Sequence, residues 1–242
     1  GQGNTAIGKE AMYSHTVGDY NVALGRQAMK AANDADNNVA VGHQSMLTLT
    51  TGDTNVAVGT NSLRTLTTGT NNVAIGDQAL YTTSANENTA VGKAALHYTT
   101  TGEKNTGIGA WAIYNNTTAD NNTAIGYKVM YINTEGENNV AVGYEALYKN
   151  TVADYNTSIG RRAMYQNTTG EYNIGVGSNS TEQNTTGNNN IGIGYNALRS
   201  NQEGDSNIAI GFRSLWYTTG TGNVAVGKDA LLTSTTTSSN TA

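Results

Sequence analysis

Carboxylates recur at one place along this chain: Asp19, Asp36, Asp53, Glu103, Asp120, Glu137, Asp154, Glu171 and Asp205, each directly after a Gly or Ala. A column of oxygen ligands is the chemistry of hard-cation binding. One carboxylate per repeat does not converge on an ion, however, and the Gly-Gly-x-Gly-x-Asp pattern of calcium β-rolls is missing. The column therefore reads as a solvated turn that also limits lateral aggregation. A second column is aromatic: Tyr13, Tyr81, Tyr114, Tyr131, Tyr148, Tyr165 and Trp216. Such rings either stack on one another or offer a sugar or protein partner an apolar surface, which makes Tyr114, Tyr131, Tyr148 and Tyr165 candidate ligand contacts. A third column is threonine, at Thr50, Thr67, Thr100, Thr117, Thr134, Thr151, Thr168 and Thr185. Regular threonines on a flat face suit an ice-binding surface, but the surrounding segment carries Lys149, Gln166 and Gln183, which argues against flatness. His15, His43 and His97 fall at different places in the pattern, and no acid–base or nucleophile constellation stands out. The expectation is a protein that is not an enzyme and that uses neither cofactor nor metal.

All three columns hang on one repeat, of which Asn72-Val73-Ala74-Ile75-Gly76 is a copy. Its closing glycine returns fourteen times, from Gly8 to Gly227, in steps of 17 residues with two steps of 16. A repeat must be read before anything else, because it decides the architecture. The first place is Asn, the second Val, Thr or Ile, the third Ala, Gly or Ser, and the fourth Ile, Val or Leu. Alternate residues of a strand point to opposite faces, and β-branched residues favour strands. The two β-branched places then share one face, and Asn, the small residue and Gly share the other. Asn72, Ile75 and Gly76, Asn122, Ile125 and Gly126, and Asn139 and Gly143 are thus expected to form stacked structural ladders, the Asn as an amide ladder.

After the Gly come two variable residues and a small–aliphatic pair, such as Ala79-Leu80 or Ala146-Leu147. This predicts a second short strand or an extended corner. A polar outer segment follows, often Asn-Thr-Thr-Gly as at Asn167 to Gly170, and then a tight turn into the next Asn. Both 16-residue steps lose their residue in the outer segment, which marks it as a loop. The recurring Gly predicts positive φ. The copy at 177–187 lacks the second aliphatic and has Thr181 there; it reads as a weak coil rather than a locally adapted surface.

A coil of this length, repeated without interruption over 1–242, is a parallel β-solenoid of fourteen coils, all-β, in a single array. Few large apolar residues are available per coil. The small-residue face either lines a thin coil interior or lets thin coils pack side by side with homo-oligomeric symmetry. Ile125 is expected to be buried, so that Ile125→Asp would break a coil by burying an unpaired charge.

Composition narrows the class further. With 29 Gly, no Pro, no Cys and one Phe in 242 residues, disulfide staples and thiol chemistry are excluded. The formal charge of −5 comes without a basic stripe, which speaks against nucleic acid. No apolar run is long enough to span a membrane. Asn-x-Thr sequons such as Asn116-Thr117-Thr118 and Asn184-Thr185-Thr186 are expected from composition and matter only in a eukaryotic secretory setting.

Asn71-Asn72-Val73-Ala74-Ile75-Gly76 and Asn139-Val140-Ala141-Val142-Gly143, with their Gly-x-x-Ala or Gly-x-x-Ser follow-on, resemble the head repeats of trimeric autotransporter adhesins. They are also similar to repeat arrays of tail-fibre-like proteins. The resemblance covers the whole chain. It implies a left-handed parallel β-roll, a homotrimer around one axis, and a role in attachment at a cell or virion surface. This repeat is longer than the usual adhesin one, and the extra residues fall around Asn167-Thr168-Thr169. The expected function is the shaft or head of a trimeric extracellular fibre acting as a stiff, multivalent spacer. The alternatives are a module whose outer loops bind cell-surface glycan or protein, or an ice-binding solenoid. The expected partners are the chain itself, as homotrimer or longer filament, and cell-surface glycan or protein. The chain begins and stops in mid-pattern without visible caps, so it is expected to be a slice of a longer fibre.

Overall fold

A computed structural model describes residues 1–233 and 238–242, so the outer segment of the fourteenth repeat falls partly outside the described residues. The chain forms two compact units, Gly1–Asn121 and Asn122–Ala242. Each is a parallel β-solenoid, all-β, built from seven copies of the repeat. The first unit carries β1 (Thr5–Ile7), β2 (Val22–Leu24), β3 (Val39–Val41), β4 (Val56–Val58), β5 (Val73–Ile75), β6 (Thr89–Val91) and β7 (Thr106–Ile108). The second carries β8 (Thr123–Ile125), β9 (Val140–Val142), β10 (Thr157–Ile159), β11 (Ile174–Val176), β12 (Ile191–Ile193), β13 (Ile208–Ile210) and β14 (Val224–Val226). Within each unit every strand pairs in parallel with the next one in sequence, small residue opposite small residue, as in Ala57↔Ala74 and Ala124↔Ala141. The 16-residue steps keep this register, with Val73 opposite Thr89 and Ile208 opposite Val224. The missing residue is absorbed outside the strands.

The two faces of the strand are arranged opposite to the side-by-side expectation. The small residues are inside: Ala74, Ala124, Ala141 and Ser158 are fully buried. The β-branched residues point out, and Ile75 and Ile125 remain 41% and 39% exposed. Ile125 is therefore not buried within its own coil, and the thin-interior alternative holds. The physical reason lies across the coil. The aliphatic residue of the second pair (Met130, Leu147, Met164) fills the interior against the small strand residue. A hypothetical Cβ on Gly175 would lie 2.9 Å from Met164 Cγ, which shows how little room is left for a second large residue.

The second pair is also not a strand. Residues 127–132 and their equivalents are turns, with Lys128 and Met130 at φ 51° and 49°. A strand would send Ala146 and Leu147 to opposite faces; the positive-φ path turns both inward, where both are fully buried. Each non-Gly residue in this region costs about 1–2 kcal/mol. Coil-to-coil hydrogen bonds offset that cost, among them Leu147 N–H to the Ala163 carbonyl (3.0 Å) and Glu145 N–H to the Tyr127 carbonyl (3.0 Å). The repeating glycines do have positive φ: Gly76 135°, Gly126 134° and Gly143 131°. At Gly126 a Cβ would also lie 2.5 Å from the Gly143 carbonyl oxygen, so stacking as well as φ requires glycine there.

The strand Asn forms the expected buried ladder. Asn72 Oδ1 accepts the N–H of Asn88 at 3.0 Å, and Asn139 N–H donates to Asn122 Oδ1 at 2.9 Å. Each Nδ2 crosses the coil to the carbonyl before the acidic place, as Asn122 does to Gly136 (2.8 Å). A second ladder lies in the outer segment, which is a loop as expected but is buried at its asparagines. Asn133, Asn150, Asn167, Asn184 and Asn201 are fully buried, bonded Nδ2 to Oδ1 between neighbouring coils (Asn184 to Asn167, 2.8 Å). Their Nδ2 groups reach the same carbonyls, so Ala153 O accepts from both Asn139 (2.8 Å) and Asn150 (2.9 Å).

Candidate functional site

The acidic column is built into the backbone. Asp36 Oδ1 accepts the N–H of Asp19 (2.7 Å), Asp120 that of Glu103 (2.7 Å) and Asp154 that of Glu137 (2.6 Å). A carboxylate here caps a main-chain donor of the coil before it, and charge strengthens such a bond. Among the described residues no group of three or more His, Cys, Asp or Glu converges as a metal site would require. The threonine column is similarly engaged. Thr50, Thr100, Thr134, Thr151 and Thr168 donate their hydroxyls to the carbonyl of the equivalent residue one coil on, at 2.6–3.1 Å. Thr185 does the same to Gln202.

Between Tyr81 and Tyr165 the aromatic column is partly buried and stacked ring on ring within each unit, whereas Tyr13 is 73% exposed and Trp216 stacks on Tyr217 (5.2 Å). In the first unit Tyr81, His97 and Tyr114 are spaced 5.0 and 5.2 Å apart, with Tyr98 edge-on to His97 at 4.4 Å. In the second, Tyr131, Tyr148 and Tyr165 are spaced 5.3 and 5.1 Å apart. Their faces are covered by each other, leaving ring edges outward. The face of Tyr165 also meets the Arg162 guanidinium at 4.2 Å. Burial lowers the pKa of His97, against the opposing effect of its hydrogen bond to the Gln78 carbonyl, and burial raises that of Tyr148.

Two further surfaces stand out; sequence reading did not single out the first and took the second only for a weak coil. The first is the outer face of the strands, where Ile125, Ile159, Ile193 and Ile210 of the second unit stay 38–39% exposed. Exposed aromatics accompany it after the Gly: Tyr127 stacks on Tyr144 (5.5 Å) and Tyr195 on Phe212 (5.5 Å). Tyr155 and Tyr172 stack at 5.0 Å before the Asn. The signal was present, since these residues recur every 17 positions, but it needs the inner face to be known first.

The second surface lies where the repeat is irregular. Thr181 is fully buried in place of the usual aliphatic, and its Oγ1 and the Oγ of Ser180 have no hydrogen-bond partner. The next residue, Glu182, stands where the preceding coil has Tyr165 and the following coil Arg199. It is nearly buried and held by Arg199 (2.6 Å) and Arg162 (3.5 Å). Beside it an open groove of about 380 Å³ is lined by Gln166, Gln183, Thr185 and Gln202. The side-chain amides of all three glutamines lack hydrogen-bond partners among the described residues.

No helix among the described residues is long and apolar enough to cross a membrane. Comparison with models of known families and with curated proteins finds no match for this chain.

Proposed function

We propose that this chain is a shaft or head segment of a homotrimeric extracellular fibre, surface-adhesin-like or tail-fibre-like, with a left-handed roll and a role in stiff, multivalent attachment. The observation that carries the reading is the outward ladder of Val and Ile with its flanking aromatics. An apolar face that extends over many coils is more than scattered exposed residues, and such faces mark association sites. A second copy of the same chain is the partner that fits. Its ladder has the same coil-to-coil period, so ridges and gaps meet in register along the whole contact, and closed symmetry then limits the assembly. The repeat's resemblance to trimeric adhesin heads supports three copies rather than two. A fibre of this kind multiplies any weak contact along and around its axis, which raises avidity without a strong single site. Localisation at a cell or virion surface follows from the same reading.

The test is the mass in solution by multi-angle light scattering, with electron micrographs of the same sample. A trimeric, elongated particle is expected. A monomer at tens of micromolar chain would overturn the proposal.

A further inference from the structure

We infer that the groove over residues 166–202 binds a neutral glycan chain lying along the coil stack. Three observations point to this ligand chemistry. First, Gln166, Gln183 and Gln202 come from successive coils, and their carboxamides have no hydrogen-bond partner among the described residues. A carboxamide offers two donors and an acceptor with two lone pairs, which suits a ligand with many hydroxyls, each both donor and acceptor. Gln166 and Gln183 are equivalent places 17 residues apart and stack at about the strand spacing of 4.7–4.9 Å; Gln202 follows in the next coil two residues further along, in the column of Thr185, so a chain crossing the coils meets one amide after another.

Second, the cations beside the groove are engaged by the protein. Arg199 pairs with Glu182, Arg162 lies between Glu182 and Glu145, and Lys149, one coil before Gln166, lies over the Tyr165 ring, so a sulfated or acidic polymer would have to compete for them. Third, the backbone of this wall is already paired. Gln183 N–H donates to the Arg199 carbonyl (2.9 Å), and Thr185 N–H to the Gln202 carbonyl (2.8 Å). A peptide strand therefore has no sheet edge to join here; only side chains are on offer. The groove's volume falls in the range of ordinary ligand sites, roughly 300–1,000 Å³. It also coincides with the one coil that gives up its core aliphatic, at Thr181. The local irregularity sits where the tyrosine row ends: after Tyr165 the same place holds Glu182 and then Arg199, which form an ion pair. This inference does not depend on the trimer, because the groove is on the turn-built wall rather than on the sheet face.

The test is binding of the full chain to immobilised neutral hexasaccharides of glucose, mannose, galactose and N-acetylglucosamine, with sulfated and sialylated probes alongside. The same probes are run against Q166A/Q183A/Q202A. Binding to at least one neutral probe is expected, insensitive to salt. Each lost amide should weaken it up to about tenfold, and the triple variant should abolish it with an unchanged melting temperature. Val17→Ala, at an exposed position of the first unit, should leave it intact. No neutral probe bound, binding equal in the triple variant, or binding only to charged probes would each overturn the inference.

Discussion

Asn139 holds two neighbouring coils at once. Its Oδ1 accepts the N–H of Asn156 (2.9 Å), and its Nδ2 donates to the Ala153 carbonyl (2.8 Å), all without solvent. Asn139→Ala leaves the Asn156 N–H buried without a partner, and the expected loss is about 2–3 kcal/mol, measurable by urea unfolding. His97 supplies the pH dependence at this scale. Its folded pKa is lowered, chiefly by burial between Tyr81 and Tyr114, whereas the unfolded chain keeps the ordinary value near 6.5. Below that value the unfolded state binds more protons, so stability falls as pH drops from about 6.5 toward the lowered folded pKa, and the contribution is complete above it. His97→Tyr continues the ring stack and should flatten that part of the profile; melting temperatures of both proteins between pH 7.5 and 5 would show it.

At the scale of the element, the coil is a compromise between a three-residue strand and a turn run that is costly in φ. The strand supplies coil-to-coil pairing, and the run supplies the large side chain that fills the interior. Where that side chain changes, the strand changes with it. Thr181 replaces the aliphatic, and the strand residues near it are Gly175 and Gly192. A Cβ on either would lie 2.6 Å from Thr181 atoms. The β-branched Thr181 thus leans into space that alanine fills in most other coils. Its hydroxyl is buried without a partner, so Thr181→Val, which keeps the shape and removes the polar group, should stabilise by about 1 kcal/mol, read as a rise in the thermal midpoint.

For the molecule as a whole, the exposed strand face is where the proposed association between chains would be made. Covering the remaining exposure of one such isoleucine is worth about 1 kcal/mol, and the ladder repeats that gain in every coil. Ile125→Asp tests the face directly. Because Ile125 is outward, the variant should keep its fold, with an unchanged circular dichroism spectrum, yet associate at least about tenfold more weakly. Charges facing their own symmetry copies across a dry contact are costly. A variant that unfolds instead would place Ile125 back inside the coil.

Asn and Gly at fixed spacing were enough to place every strand of the two units, its parallel register, the first amide ladder and the glycine φ, because these depend on residues a set distance apart. Alternation along Asn139 to Gly143 separated two faces but did not label them. Which face is inner depends on what lies across the coil, and Leu147 arrives there only through a positive-φ path that no glycine announces. The same holds for Asn150, a turn residue by type, which becomes core because the Ala153 carbonyl and the ladder above and below meet its amide. The glutamine groove is likewise tertiary: Gln166, Gln183 and Gln202 are unremarkable in the chain, and only stacking brings their amides to one wall.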